Sequence, residues 1–117
     1  MIYIDGFVVP VKAGTTTEAY VAFAEKFAPI FRDYGATRVV EGWGDDVPHG
    51  KLTDFRRSVQ ATEGETVVLS WIEWPDKATR DAGMKKIMED PRMHPGMEMP
   101  FDGKRMIFGG FQAVVDF

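Results

Sequence analysis

Nine consecutive residues, Thr66 to Trp74, constrain this chain most, because they are apolar at both parities. Val67, Leu69 and Trp71 fall on one side of an extended strand, and Val68, Ile72 and Trp74 on the other. Ile2 to Val11 repeats the pattern, with Ile2, Ile4, Gly6 and Val8 against Tyr3, Asp5, Phe7 and Val9, until Pro10 and Gly14 stop it. A sheet built from such strands has no wet face, so both sides need cover. A chain of 117 residues has room for one core and few covering elements.

Two helices are available. Thr15 and Glu18 have the spacing of a capping box, and Tyr20, Phe23, Ala24, Phe27, Phe31 and Tyr34 then recur at helical intervals up to Gly35. Pro29 inside this helix removes the hydrogen bond to residue 25 and predicts a kink. Asp76 caps a second helix with Met84, Ile87 and Met88 on its buried side, and Asp90-Pro91 closes it. A strand is predicted over Thr37–Asp45, with Val39, Glu41 and Trp43 on one face, and a last one over Met106–Asp116. Gly109-Gly110 within that last strand predicts a bulge or a close backbone approach. Residues 46–65 hold no strand pattern, only a short helical turn within 53–59.

The order is strand, helix, strand, strand, helix, strand. This is the split βαβ arrangement of an α+β, ferredoxin-like domain, with an antiparallel four-stranded sheet and both helices on one face. The other face is expected to be buried by a second copy, sheet to sheet, making a homodimer.

Four blocks carry a resemblance along essentially the whole chain. They are Tyr3-Ile4-Asp5-Gly6-Phe7-Val8-Val9-Pro10, Gly44-Asp45-Asp46-Val47-Pro48-His49-Gly50-Lys51-Leu52-Thr53, Glu65 to Ile72, and Met99-Pro100-Phe101-Asp102-Gly103-Lys104-Arg105-Met106-Ile107. Together they resemble the YbaA-like family of small bacterial proteins, a domain of unknown function. The resemblance implies a dimeric α+β barrel with a pocket between sheet and helices in each half. It supplies no catalytic residue, and the fold hosts many chemistries.

Composition excludes several classes. The formal net charge of −4, with Lys and Arg scattered in pairs, argues against a nucleic-acid partner. No apolar segment is long enough for a membrane span, and no leader pattern opens the chain. The absence of cysteine rules out thiol chemistry and fits a cytoplasmic location. Gly109-Gly110 opens no helix, so no dinucleotide site follows, and neither cofactor nor metal is expected.

The acid–base candidates are Asp5, Asp45, His49 and Asp102. Lys51, Lys104 and Arg105 are the candidates for holding negative charge on an acidic or aromatic ligand, with Trp43 and Trp71 lining the pocket. Each has a structural reading beside the functional one. Asp45, Asp46 and His49 are hard and borderline metal ligands, or simply a turn. The Met93-to-Met99 run with His94 suggests soft-metal or axial haem ligation, or apolar gap-filling. Asp5, Glu41 and Trp71 sit on rigid strands. Asp5 needs a partner, sought among Arg38, Lys51, Lys104 and Arg105, either as a structural ion pair or as a pocket acid. The expected function is binding or conversion of a small organic molecule, without deciding whether the protein is an enzyme. The alternatives are a non-catalytic dimer and a haem or metal protein.

Overall fold

A computed structural model describes residues 1–93, 96 and 98–117. Its elements are β1 (Tyr3–Val11), α1 (Thr17–Asp33), β2 (Arg38–Trp43), α2 (Phe55–Ser58), β3 (Thr66–Trp74), α3 (Lys77–Glu89), a single 3-10 turn at Pro91–Met93, and β4 (Ile107–Gln112). The strands form one antiparallel sheet in the order β2-β3-β1-β4. This is the ferredoxin-like α+β fold expected from the patterning. The third strand and the second main helix begin where their sequence signals place them. The second and last strands are shorter than expected, ending at Trp43 and spanning only Ile107–Gln112.

Register decides which side chains share a face. Tyr3, Asp5, Phe7 and Val9 lie opposite Trp74, Ile72, Ser70 and Val68, which continue onto Val39, Glu41 and Trp43 of β2. This is the helix-covered face. The core has two parts, one around Tyr3, Phe27, Ile30, Ile72, Trp74 and Ile87, the other around Val9, Val11, Tyr20 and Val68. Phe7 and Phe23 pack against both.

Local chemistry explains the helix ends with small corrections. The N-cap of α1 is Thr16, not Thr15, and its hydroxyl accepts from the Ala19 N–H at 3.1 Å. The helix runs on through Pro29 to Asp33. Gly35 follows at φ +112°, a conformation that disfavours any residue with a Cβ. Asp76 caps α3 through the Thr79 N–H at 2.7 Å. On that helix Ile87 and Gly83 are buried, whereas Met88 is mostly exposed, because Gly83 replaces it on the face toward the sheet. A Cβ on Gly83 would lie 2.6 Å from the Tyr34 carbonyl and 2.7 Å from the Trp74 ring, so the missing side chain sets how closely α3 approaches.

The partner of Asp5 is Arg80 of α3, which was not among the four cations considered from the sequence. Asp5 is 3% exposed. Its carboxylate accepts from Arg80 Nη2 at 2.7 Å, from Nε at 3.1 Å, and from the Trp74 indole at 2.9 Å. The guanidinium also lies 5.1 Å from the centre of the Tyr3 ring. Gly110 makes room for this cluster, since a Cβ there would meet the Tyr3 hydroxyl and Arg80. The paired glycines mark neither a bulge nor another backbone close by: the register runs through them unbroken, and Gly110 is crowded by side chains instead. Gly109, pointing the other way, lies beneath the Phe111 ring.

On the second face, α2 packs against β1, and Val47 and Phe55 lie beside Val67 and Leu69 at one end. The remainder is open: Leu69 is 43%, Ile107 45% and Phe111 61% exposed.

Removing one member of a buried ion pair leaves the other charge uncompensated, at a cost of about 3–5 kcal/mol. Arg80→Ala is expected to destabilise the protein on that scale in urea unfolding. Asp5→Leu combined with Arg80→Met should recover much of the loss. A single variant within about 0.5 kcal/mol of the wild type would contradict a structural role for the pair.

Candidate functional site

Between α1 and the covered face of the sheet lies a cavity of about 250 Å³. Phe7, Phe23, Phe27, Phe31, Phe101 and Met106 make most of its wall. The stripe on α1 thus serves both as core and as the lining of a void. Phe23 stands edge-on to Phe101 at 5.7 Å and tilted against Phe27 at 4.8 Å, so the wall is a set of interlocked rings.

Its polar side chains form one cluster. Glu41 of β2 and Ser70 of β3 are directly opposite in the register, and Tyr20 reaches them from the first turn of α1. The Tyr20 hydroxyl donates to Glu41 Oε1 at 2.6 Å and the Ser70 hydroxyl donates to Oε2 at 2.5 Å. Burial pushes the Tyr20 phenol well above its ordinary value, and the Glu41 hydrogen bond and charge push it the same way. The proton therefore stays on tyrosine and points at the carboxylate. Beyond Glu41 the cavity adjoins an outer groove of about 240 Å³ between α1 and β2, lined by Thr17, Val21, Glu25 and Trp43. The Tyr20 and Trp43 rings lie 5.7 Å apart along it.

The residues nominated from the sequence are distributed otherwise. Asp5 is held in its ion pair with Arg80. Trp43 borders the outer groove, but Trp71 points to the opposite face, where its indole donates to Glu73 at 2.9 Å. Asp45 and Asp46 border a hollow of about 260 Å³ on that second face beside Phe55 and Leu69. His49 is 87% exposed, with Nδ1 3.5 Å from Asp54. Lys51 and Lys104 are exposed, and neither lines the cavity or the groove. Among the described residues no three acidic or histidine side chains converge as metal ligands. His94 lies outside the described residues.

Arg105 and Asp102 work as a brace. The guanidinium grips Glu65 through both terminal nitrogens, Nη1 to Oε1 at 2.8 Å and Nη2 to Oε2 at 2.6 Å. It also donates to Asp102 at 2.8 Å and to the Gln60 carbonyl at 2.8 Å. Arg56 donates to the carbonyls of Glu65 and Thr62. Arg57 binds Asp54, the N-cap of α2, whose carboxyl is held well below the usual carboxylate range, chiefly by the Arg57 N–H. The long connection is thereby tied to the base of β4, and Arg105 has few donors left for an anion.

Sequence reasoning placed Glu41 on a strand without assigning it to the site, and it missed Tyr20 and Ser70. Tyr20 was absorbed into the aromatic stripe. Ser70 carried a signal: it is the lone hydroxyl between Val68 and Ile72 on a buried strand face.

Fold and cavity together define an α+β, ferredoxin-like protein with a pocket between its first helix and its sheet. The chain belongs to the family described as protein of unknown function DUF1428, whose profile matches residues 2–103. It is 56% identical over 117 residues to the uncharacterized protein YbaA of Escherichia coli K12, covering 99% of each chain, and equally similar to YbaA of Shigella flexneri. A crystal structure of a dimeric ferredoxin-like protein from an uncultured marine organism matches with a TM-score of 0.66 at 10% identity. That match covers 99% of this chain and 98% of the other, and at this identity it speaks to the fold alone.

The brace has a pH signature. Arg105 first, then the Thr62 N–H, hold Glu65 at about 2 instead of 4.5. A carboxyl depressed in the folded state adds stability above its unfolded value, and that stability is lost as pH falls through the folded one. Stability should therefore drop between pH 4.5 and about 2, and Glu65→Gln should be less stable at neutral pH with a shallower drop. Urea midpoints across that range provide the check. A Gln variant with an unchanged slope would contradict the assignment.

Proposed function

We propose that this protein binds a small, largely apolar organic molecule in the cavity between α1 and the sheet, and that it does so as a homodimer. The observation that carries the reading is the cavity itself: an aromatic-walled void whose polar side chains converge on Glu41. Binding sites of this kind combine an apolar lining with a few placed polar groups. A volume of about 250 Å³ suits a molecule of one ring and a short chain, since cavities of about 150 Å³ already admit benzene. Glu41, Tyr20 and Ser70 orient the guest, while the arginines and their acids keep the frame rigid around it.

Methionine methyl groups report on the cavity directly, because Met93, Met99 and Met106 line it. Titration with ethylbenzene is expected to shift these resonances in a saturable way. Ala28→Trp, which fills the void from α1, should abolish the shifts without unfolding the chain. Unshifted methyls in the wild type up to the solubility of the probe would overturn the reading.

The dimer rests on the second sheet face, where Leu69 of β3 and Ile107 and Phe111 of β4 stand exposed on either side of β1, with Trp71 and Val8 on the same face. Apolar side chains this contiguous mark an interaction surface, and a two-fold pairing covers the same patch on both copies. Sedimentation should give twice the 13.2 kDa chain mass, and Leu69→Lys with Phe111→Lys should return it to one. A wild-type monomer at high concentration would refute the pairing.

A further inference from the structure

We infer that the cavity's ligand is an amine: a protonated ammonium head at Glu41 on an aromatic body in the ring-lined void. The inference rests on the binding role proposed above and names the class of molecule.

It follows from counting donors and acceptors. An ionised carboxylate only accepts hydrogen bonds. The single protons of the Tyr20 and Ser70 hydroxyls are both committed to Glu41. What remains facing a guest is lone pairs: those of the two hydroxyl oxygens and the unused ones of the carboxylate. Among the described residues, no other lining side chain of the cavity carries a nitrogen or oxygen donor. The inner site therefore presents acceptors, and a ligand's polar group has to donate. An anion or a bare carbonyl finds no side-chain partner there.

Charge narrows the class from any donor to a cation. Among the described residues Glu41 has no Lys, Arg or His within salt-bridge distance, whereas Asp5, Asp54, Glu65 and Asp90 each have at least one. Among the described residues Glu25 is the one other charged residue lining the adjoining groove, and it is acidic too. The Tyr20 and Trp43 rings also stand beside Glu41 along this groove. An ammonium group has three donors for these acceptors and a positive charge to set against the carboxylate of Glu41. The expectation that Lys51, Lys104 and Arg105 hold an acidic ligand is thereby reversed in sign.

Four probes of matched size separate the possibilities by methyl-shift titration: phenethylamine, phenethyl alcohol, ethylbenzene and phenylacetate. Phenethylamine should bind at least about tenfold more tightly than the alcohol, and phenylacetate should be the weakest. Glu41→Gln should weaken the amine by about tenfold or more, and by far more than it changes ethylbenzene. Raising the salt concentration of the wild type should weaken the amine alone, a test that needs no variant. If ethylbenzene or phenylacetate binds as well as the amine, or if the amine ignores both the Gln variant and salt, the inference fails while the pocket stands. If none of the four shifts a cavity methyl, the pocket reading fails with it.

Discussion

The Asp5–Arg80 ion pair is the contact on which the layered arrangement depends. It joins β1, a central strand, to α3 through a buried carboxylate and a partly buried guanidinium, and it enlists the indole of Trp74 from the neighbouring strand. A carboxylate in that position is costly without compensation, so the pair fixes where α3 sits. Two glycines meet the steric demands of the same cluster. Gly110 clears space for Tyr3 and Arg80, and Gly83 lets α3 approach Trp74.

The charged residues then divide into two groups with different consequences. Arginines are committed to named acids: Arg57 to Asp54, Arg80 to Asp5, Arg92 to Asp90 and Asp33, and Arg105 to Glu65 and Asp102. Asp90 also accepts from the Tyr34 hydroxyl at 2.7 Å, tying the end of α1 to the end of α3. These contacts brace the connections at both ends of the fold. Glu41 differs from these acids: hydroxyls serve it, and among the described residues no cation pairs with it. A carboxylate left with spare acceptor capacity beside an apolar void differs in kind from one neutralised in a brace. That difference is what our proposal for the site rests on.

Much of the fold was legible because strand parity and helical periodicity are one-dimensional signals. Both faces of Thr66–Trp74 and of the first strand were apolar, and the capping position of Asp76 was plain. The site was harder to read because it depends on register. Glu41 and Ser70 are 29 residues apart and meet only through the pairing of β2 with β3. Tyr20 looks like any other aromatic on its stripe. Asp5 posed the same difficulty: its need for a partner was evident, but Arg80 lies 75 residues away on a helix whose close approach to Trp74 depends on Gly83. Conversely, the conspicuous run around His49 drew attention through composition, although it sits in an exposed turn beside Asp54.

The most direct test of this account is a crystal structure of the protein grown with phenethylamine. The account predicts the ring among Phe23, Phe27 and Phe101, with the ammonium nitrogen within hydrogen-bond distance of Glu41. An empty cavity with the amine bound elsewhere, or a ring inserted with its nitrogen turned away from Glu41, would contradict it.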